Sequence, residues 1–165
     1  MAHYKSIIDQ KQALKKALLQ NQSVVNLLMN TGDNVLEFDN IRTGSKSPAK
    51  DLIKTHFYVP GTQQIDKNFI AMRSSIRAAD NNVVKETDMV VLVICNDDQI
   101  DLLQGSRADL LADEIDQILN RTDGQLFGYG FVQIQGAEEV RFADGYSGWQ
   151  MRYMVHEVNR KAENL

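Results

Sequence analysis

Apolar and polar positions along this chain follow first a helical period, then none, then a period of two, and each change of period marks an element. Near the N-terminus Ile7, Leu14 and Leu18 fall on one stripe of a helix over 5–19, with Lys5, Gln12, Lys15 and Lys16 elsewhere. Asn21 is placed to cap a second, short helix whose inward residues are Val24, Val25 and Leu28, and Gly32 offers a left-handed stop. Over 30–47 no period survives. That stretch is rich in Asn, Asp, Gly, Ser and Thr around a small apolar island, Val35-Leu36-Glu37-Phe38. Irregular stretches of this length in a compact domain are usually functional or order on binding. Ser47-Pro48 reads as the start of a short helical turn through Ile53, and 56–59 as a short strand closed by Pro60-Gly61.

From residue 68 the pattern alternates. Ile70, Met72, Ile76 and Ala78 share one face, and Arg73, Ser75 and Arg77 the other. Asp80-Asn81-Asn82 is turn chemistry, so a hairpin into a strand over 83–95 is predicted. Val90-Val91-Leu92-Val93-Ile94 is apolar on both faces, so both sides of that strand should be covered. The best-specified element is a helix over 107–121. Ser106 sits at its cap, Asp109 is placed to answer the cap, and Ala108, Leu111, Ala112, Ile115, Ile118 and Leu119 form its buried stripe, with a stop at Asp123-Gly124. Strand patterning returns over 126–135, where Phe127, Tyr129 and Phe131 alternate with Gly128, Gly130, Val132 and Ile134. After a turn over 145–148 it returns again over 149–158, where Trp149, Met151, Tyr153 and Val155 oppose Gln150, Arg152 and His156. Residues 159–165 are polar and expected to fray. These elements predict a single α+β domain over 1–165: an antiparallel sheet of about four strands packed against helices, with an irregular arm or loop over 30–55.

Composition changes this picture in three places. A chain of 165 residues is long enough to bury roughly 70% of its unfolded surface, so the core needs no staples. No apolar run approaches the length that crosses a bilayer, and the first residues lack a secretory pattern, so folding in a reducing cytoplasm is expected. The single cysteine, Cys95, lies in the most apolar strand and reads as a buried, inert thiol. Net charge of −4 argues against a nucleic-acid binder. Its distribution is uneven: residues 1–80 carry eleven Lys/Arg against seven Asp/Glu, and residues 81–165 carry seven against fifteen. A solvated acidic helix face produces such an asymmetry. So does a dipolar subunit whose basic part meets the acidic part of a neighbour, head to tail. On the second reading Arg73 and Arg77, or Lys11, Lys15 and Lys16, face Asp109, Asp113, Glu114 and Asp116 of the next copy, and Leu36 and Phe38 anchor the irregular segment on another subunit.

Candidate chemistry is sparse. Asp97, Asp98 and Asp101 follow an apolar strand, where α/β enzymes place acidic metal ligands. No glycine-rich phosphate loop follows them, and a solvated acidic loop fits the pattern better. His3, His56 and His156 lie in separate segments without ligand spacing, and Ser74, Ser75 and Ser106 lack a nucleophile elbow. The expectation is a protein without catalysis, cofactor or metal, one that works as a surface.

The order of elements adds to this. A helix pair, an irregular segment, a long hairpin, a helix opening Gly105-Ser106-Arg107-Ala108, and a final strand through Tyr146-Ser147-Gly148-Trp149-Gln150-Met151-Arg152-Tyr153 resemble the tail-terminator and tail-completion proteins of long-tailed bacteriophages. The resemblance covers roughly 7–158. It implies an antiparallel sheet on helices and a homohexameric ring that caps the tail tube and presents a platform to the neck. The implied partners are further copies of the chain, the tail tube protein and a neck or head-completion protein, with no membrane and no sequence-specific nucleic acid. The implied location is the virion, after assembly in the host cytoplasm. Head-closure, neck and baseplate ring proteins are similar to the same pattern. The long 30–55 segment and the polar 61–67 link depart from the compact versions. From a different class, the residues also fit a small cytoplasmic metal-dependent enzyme or ligand-binding domain using Asp97, Asp98 and Asp101.

Overall fold

The computed structural model describes residues 4–61, 67–77, 84–120, 126 and 132–158. Two helices open the chain, α1 (Tyr4–Gln20) and α2 (Gln22–Met29). The break between them is made by Asn21, whose backbone is extended and whose side-chain oxygen accepts from the Val24 amide at 3.0 Å. The stop differs from the expectation. α2 ends at Asn30, an extended residue whose N–H reaches the Asn26 carbonyl, and Gly32 is not among the glycines at positive φ.

Ser47 and Pro48 start a 3-10 turn over Pro48–Leu52, with the Ser47 hydroxyl accepting from the Ala49 amide. The turn delivers β1 (Ile53–Lys54), which pairs in parallel with β2 (Phe69–Ile76). β3 (Val84–Asn96) pairs antiparallel with β2 and with β7 (Tyr146–Val158), and β7 pairs antiparallel with β6 (Gln133–Ala143). The sheet order is β1-β2-β3-β7-β6. Among the described residues it is a mixed five-stranded sheet, one strand larger than the antiparallel four expected, because two residues of β1 suffice to pair but are too few to carry a period. A small hairpin, β4 (Asp101–Leu102) and β5 (Gly105–Ser106), leads into α3 (Arg107–Leu119). The strand expected over 56–59 is absent: β1 takes the sheet edge, and Tyr58 lays its ring on Phe69 instead, centroids 4.9 Å apart.

The run expected to be covered on both sides is so. Every residue from Met89 to Cys95 is at most 5% exposed, and full burial of such side chains stabilises by about 1.5–3 kcal/mol each. Met89, Val91, Val93 and Cys95 share a face with Met151, Tyr153 and Val155 of β7, and α3 packs on these two strands. α1 and α2 pack in turn on α3. Val90, Leu92 and Ile94 share the opposite face with Ala71 and Phe69. At the far end of β3, Lys85 ties the layers together, pairing with Glu157 of β7 at 3.2 Å and donating to Ser6 of α1.

The hairpin from β6 to β7 turns at Asp144-Gly145, with Gly145 at φ +80°. β6 begins later and runs further than the patterning over 126–135 suggested. The aromatic alternation at Phe127, Tyr129 and Phe131, the turn at Asp80-Asn81-Asn82, the stop at Asp123-Gly124 and the tail over 159–165 lie outside the described residues.

Candidate assembly surface

Arg107 is the largest fully buried side chain among the described residues, and nothing in the local sequence pattern singles it out. Its guanidinium donates to the carbonyls of Leu27, Gly32 (3.1 Å) and Gln99 (2.8 Å), and lies 5.6 Å from the Phe38 ring centroid. Burial lowers its pKa, and no carboxylate pairs with it among the described residues. The carbonyls therefore carry the compensation. Leu27 belongs to the last turn of α2, whose carbonyls have no partner within the helix and concentrate negative charge. One side chain thus joins α2, α3, the turn before β4 and the irregular segment.

This junction revises the reading of 30–47. The segment is irregular, as expected, apart from a 3-10 turn at Val35–Glu37, but it is stitched to its own domain rather than extended as an arm. Asn30 donates to the Asp39 carbonyl, Asn26 to the Asn40 side chain, Gln22 to the Ile41 carbonyl, and Gln104 to Asn34. Phe38 is half-buried and packs on the core of its own chain. Leu36 is free to anchor on a neighbour, at 84% exposure, and Leu103 at the β4–β5 tip is 71% exposed.

The acidic face of α3 is likewise partly spoken for. Asp109 accepts from the Trp149 indole at 2.7 Å, Asp116 from the Tyr153 hydroxyl at 2.9 Å, and Glu114 from the Asn21 amide at 3.0 Å. Burial, then the Asp116 charge and hydrogen bond, push the Tyr153 pKa up, so the hydroxyl stays a donor. Asp113 is exposed and, among the described residues, accepts only from Gln117, one turn away. Of the basic partners, Arg77 is held by Asp88 at 2.7 Å and Lys15 donates to the Ile53 carbonyl. Arg73 is exposed and has no ion pair among the described residues. Several of the residues proposed for the helix-to-hairpin contact thus have partners within the chain, whereas Arg73 is available for one with a neighbour.

Asp97 and Asp98 sit on a 3-10 turn, where Asp97 accepts from the Ser147 hydroxyl, and Asp101 opens β4. Among the described residues no group of three or more His, Cys, Asp or Glu side chains is arranged to hold a metal ion. Cys95 is buried as expected, and desolvation pushes its thiol up to about 12. We expect it to resist a thiol reagent at pH 8 in the folded chain and to react once the chain is unfolded. Rapid labelling of native protein would contradict this burial.

The most conspicuous surface is β6. Residues 133–139 are exposed on both faces, and β6 ends the sheet, so its outer row of backbone donors and acceptors has no strand partner among the described residues. The opposite edge is also partly open among the described residues, where β1 covers β2 only at Ile70 and Ala71. Such long, open edges are templates for pairing with another chain.

An α+β domain with a doubly covered central strand and two open sheet edges is the class of protein defined here. A family model described as YomW matches residues 21–155, most of the chain, and the chain belongs to that family. YomW is a bacteriophage gene name, which marks the protein as phage-derived. No curated protein matches it.

Proposed function

We propose that this chain is a structural protein of the virion, a tail terminator whose copies form a ring that caps the tail tube and meets the neck. The observation that carries the reading is β6, an eleven-residue edge strand largely exposed on both faces in a chain of a phage family. A surface of this kind is suited to assembly, and the acidic residues once considered for metal chemistry are dispersed over a turn and a short hairpin. The protein acts without catalysis, and its partners are its own copies, the tube protein and a head-completion protein. Its place is the head-proximal end of the tail.

Deleting the gene from the phage genome tests this. Heads should fill with DNA but remain unjoined, and tails should lose their uniform length because nothing caps the growing tube. Normal, infectious particles from the deletion strain would refute the proposal.

A further inference from the structure

The four long strands of the sheet alternate in direction, so β6 runs opposite to β2. A second copy in the same orientation can therefore place its β2 beside β6 and continue an antiparallel ladder. From this we infer that the subunit contact is made by sheet edges: β6 of one copy adds to the open part of β2, Met72 to Ile76, in the next. This inference rests on the ring reading above and specifies its interface.

The register within one sheet supports the match. Arg73, Val90, Arg152 and Gly136 lie in one cross-strand row, and Ser74, Met89, Tyr153 and Ile134 in the next. Continuing these rows sets Arg73 of the next copy opposite Gly136, and Ser74 opposite Ile134. Two further pairs then meet diagonally, within the reach of long side chains. On the helix-covered face, Ile134 and Ile76 come together, two apolar residues that are 49% and 37% exposed in the single chain. On the other face, exposed Glu138, which accepts from Gln150 of its own chain at 3.0 Å, lies just past the end of this ladder and approaches Arg73, whose charge is unpaired among the described residues. One register thus pairs apolar with apolar and acid with base. β1 blocks the edge beyond Ala71, which confines the ladder to about five residues and leaves side chains to set its strength.

Contacts of this kind are heterologous, since one edge meets a different edge, and they close into a ring when the rotation between copies permits. An isologous pairing of β6 with β6 would instead use the same edge twice and stop at a dimer.

The test is a disulfide across the junction. Gly136 has open space where a Cβ would be, so Gly136→Cys is tolerated, and Cys95 is buried out of reach. With Arg73→Cys and Gly136→Cys on one chain, mild oxidation should give a ladder of covalent oligomers ending at the ring. Mixing the two single variants should give dimers only, and each variant alone should give none. Charge reversal at Arg73→Glu or Glu138→Arg should weaken self-association about five- to tenfold, with recovery in the double variant. Native oligomers that form no 73–136 disulfide would overturn this contact and leave the ring standing. Gly136→Cys joining to itself would overturn it in favour of β6–β6 dimers. A wild-type chain that is monomeric both in solution and in virions would remove the ring reading and this contact together.

Discussion

Arg107→Met should destabilise the chain by about 4 kcal/mol, measured by urea unfolding. The substitution fills similar space but removes the donors that satisfy the Leu27, Gly32 and Gln99 carbonyls. Each buried acceptor left without a donor costs about 1–3 kcal/mol. A gain opposes this, because the buried guanidinium is itself costly, as its lowered pKa records. Three acceptors outweigh one desolvated cation whose charge is spread over a planar group and rests on the Phe38 ring. Arg107→Lys should recover only part of the loss, because one point donor cannot serve three carbonyls from three segments. In both variants the 30–47 segment should become the first site of proteolysis, since its tie through Gly32 is gone. A loss below about 1 kcal/mol for Arg107→Met would show that the junction is packing rather than hydrogen bonding.

Gly148→Ala should be comparably severe, and for a different reason. A Cβ at Gly148 would sit 2.0 Å from the Val93 carbonyl oxygen and 2.9 Å from its carbon, both backbone atoms of the central strand. A side chain could rotate away from such a clash, but this backbone moves only by opening the β3–β7 ladder. Overpacking of a well-filled core costs about 1–3 kcal/mol, and a clash with a central strand belongs at or beyond the top of that range. We expect a fall in thermal midpoint above 10 °C, or insoluble expression. An alanine variant as stable as the parent would mean that the two strands separate more easily here than their register implies. Gly136→Ala is the control, since nothing lies within 4 Å of its Cβ.

These two residues also mark where sequence reading stops. Periodic elements were legible: the α1 stripe, the Asn21 cap, the Ser47-Pro48 start, the run of β3 and the stripe of α3 each come from neighbours in sequence. Arg107 was read as the polar start of a helix, because its burial depends on carbonyls at 27, 32 and 99, which no local pattern brings together. From its neighbours in sequence Gly148 reads as a turn residue. The turn is at Asp144-Gly145, and the requirement at 148 comes from a strand more than fifty residues earlier. β1 escaped notice because a two-residue ladder has no period. Charge asymmetry in the sequence singles out Arg73 as a candidate contact, but it does not show which carboxylates are bonded within the chain. Asp109 and Asp116 are engaged by Trp149 and Tyr153, and Glu138 on β6 accepts from Gln150, a strand pairing that the pattern over 126–135 does not reach.

The central claim is a place in the virion, and labelling tests it most directly. A phage carrying an epitope-tagged copy of this chain can be purified, decorated with gold-linked antibody and viewed by electron microscopy. The account predicts label at the head–tail junction of every particle, and at one end only of tails isolated from a strain without heads. Particles that carry no label while the tagged chain remains in the unassembled fraction would contradict it.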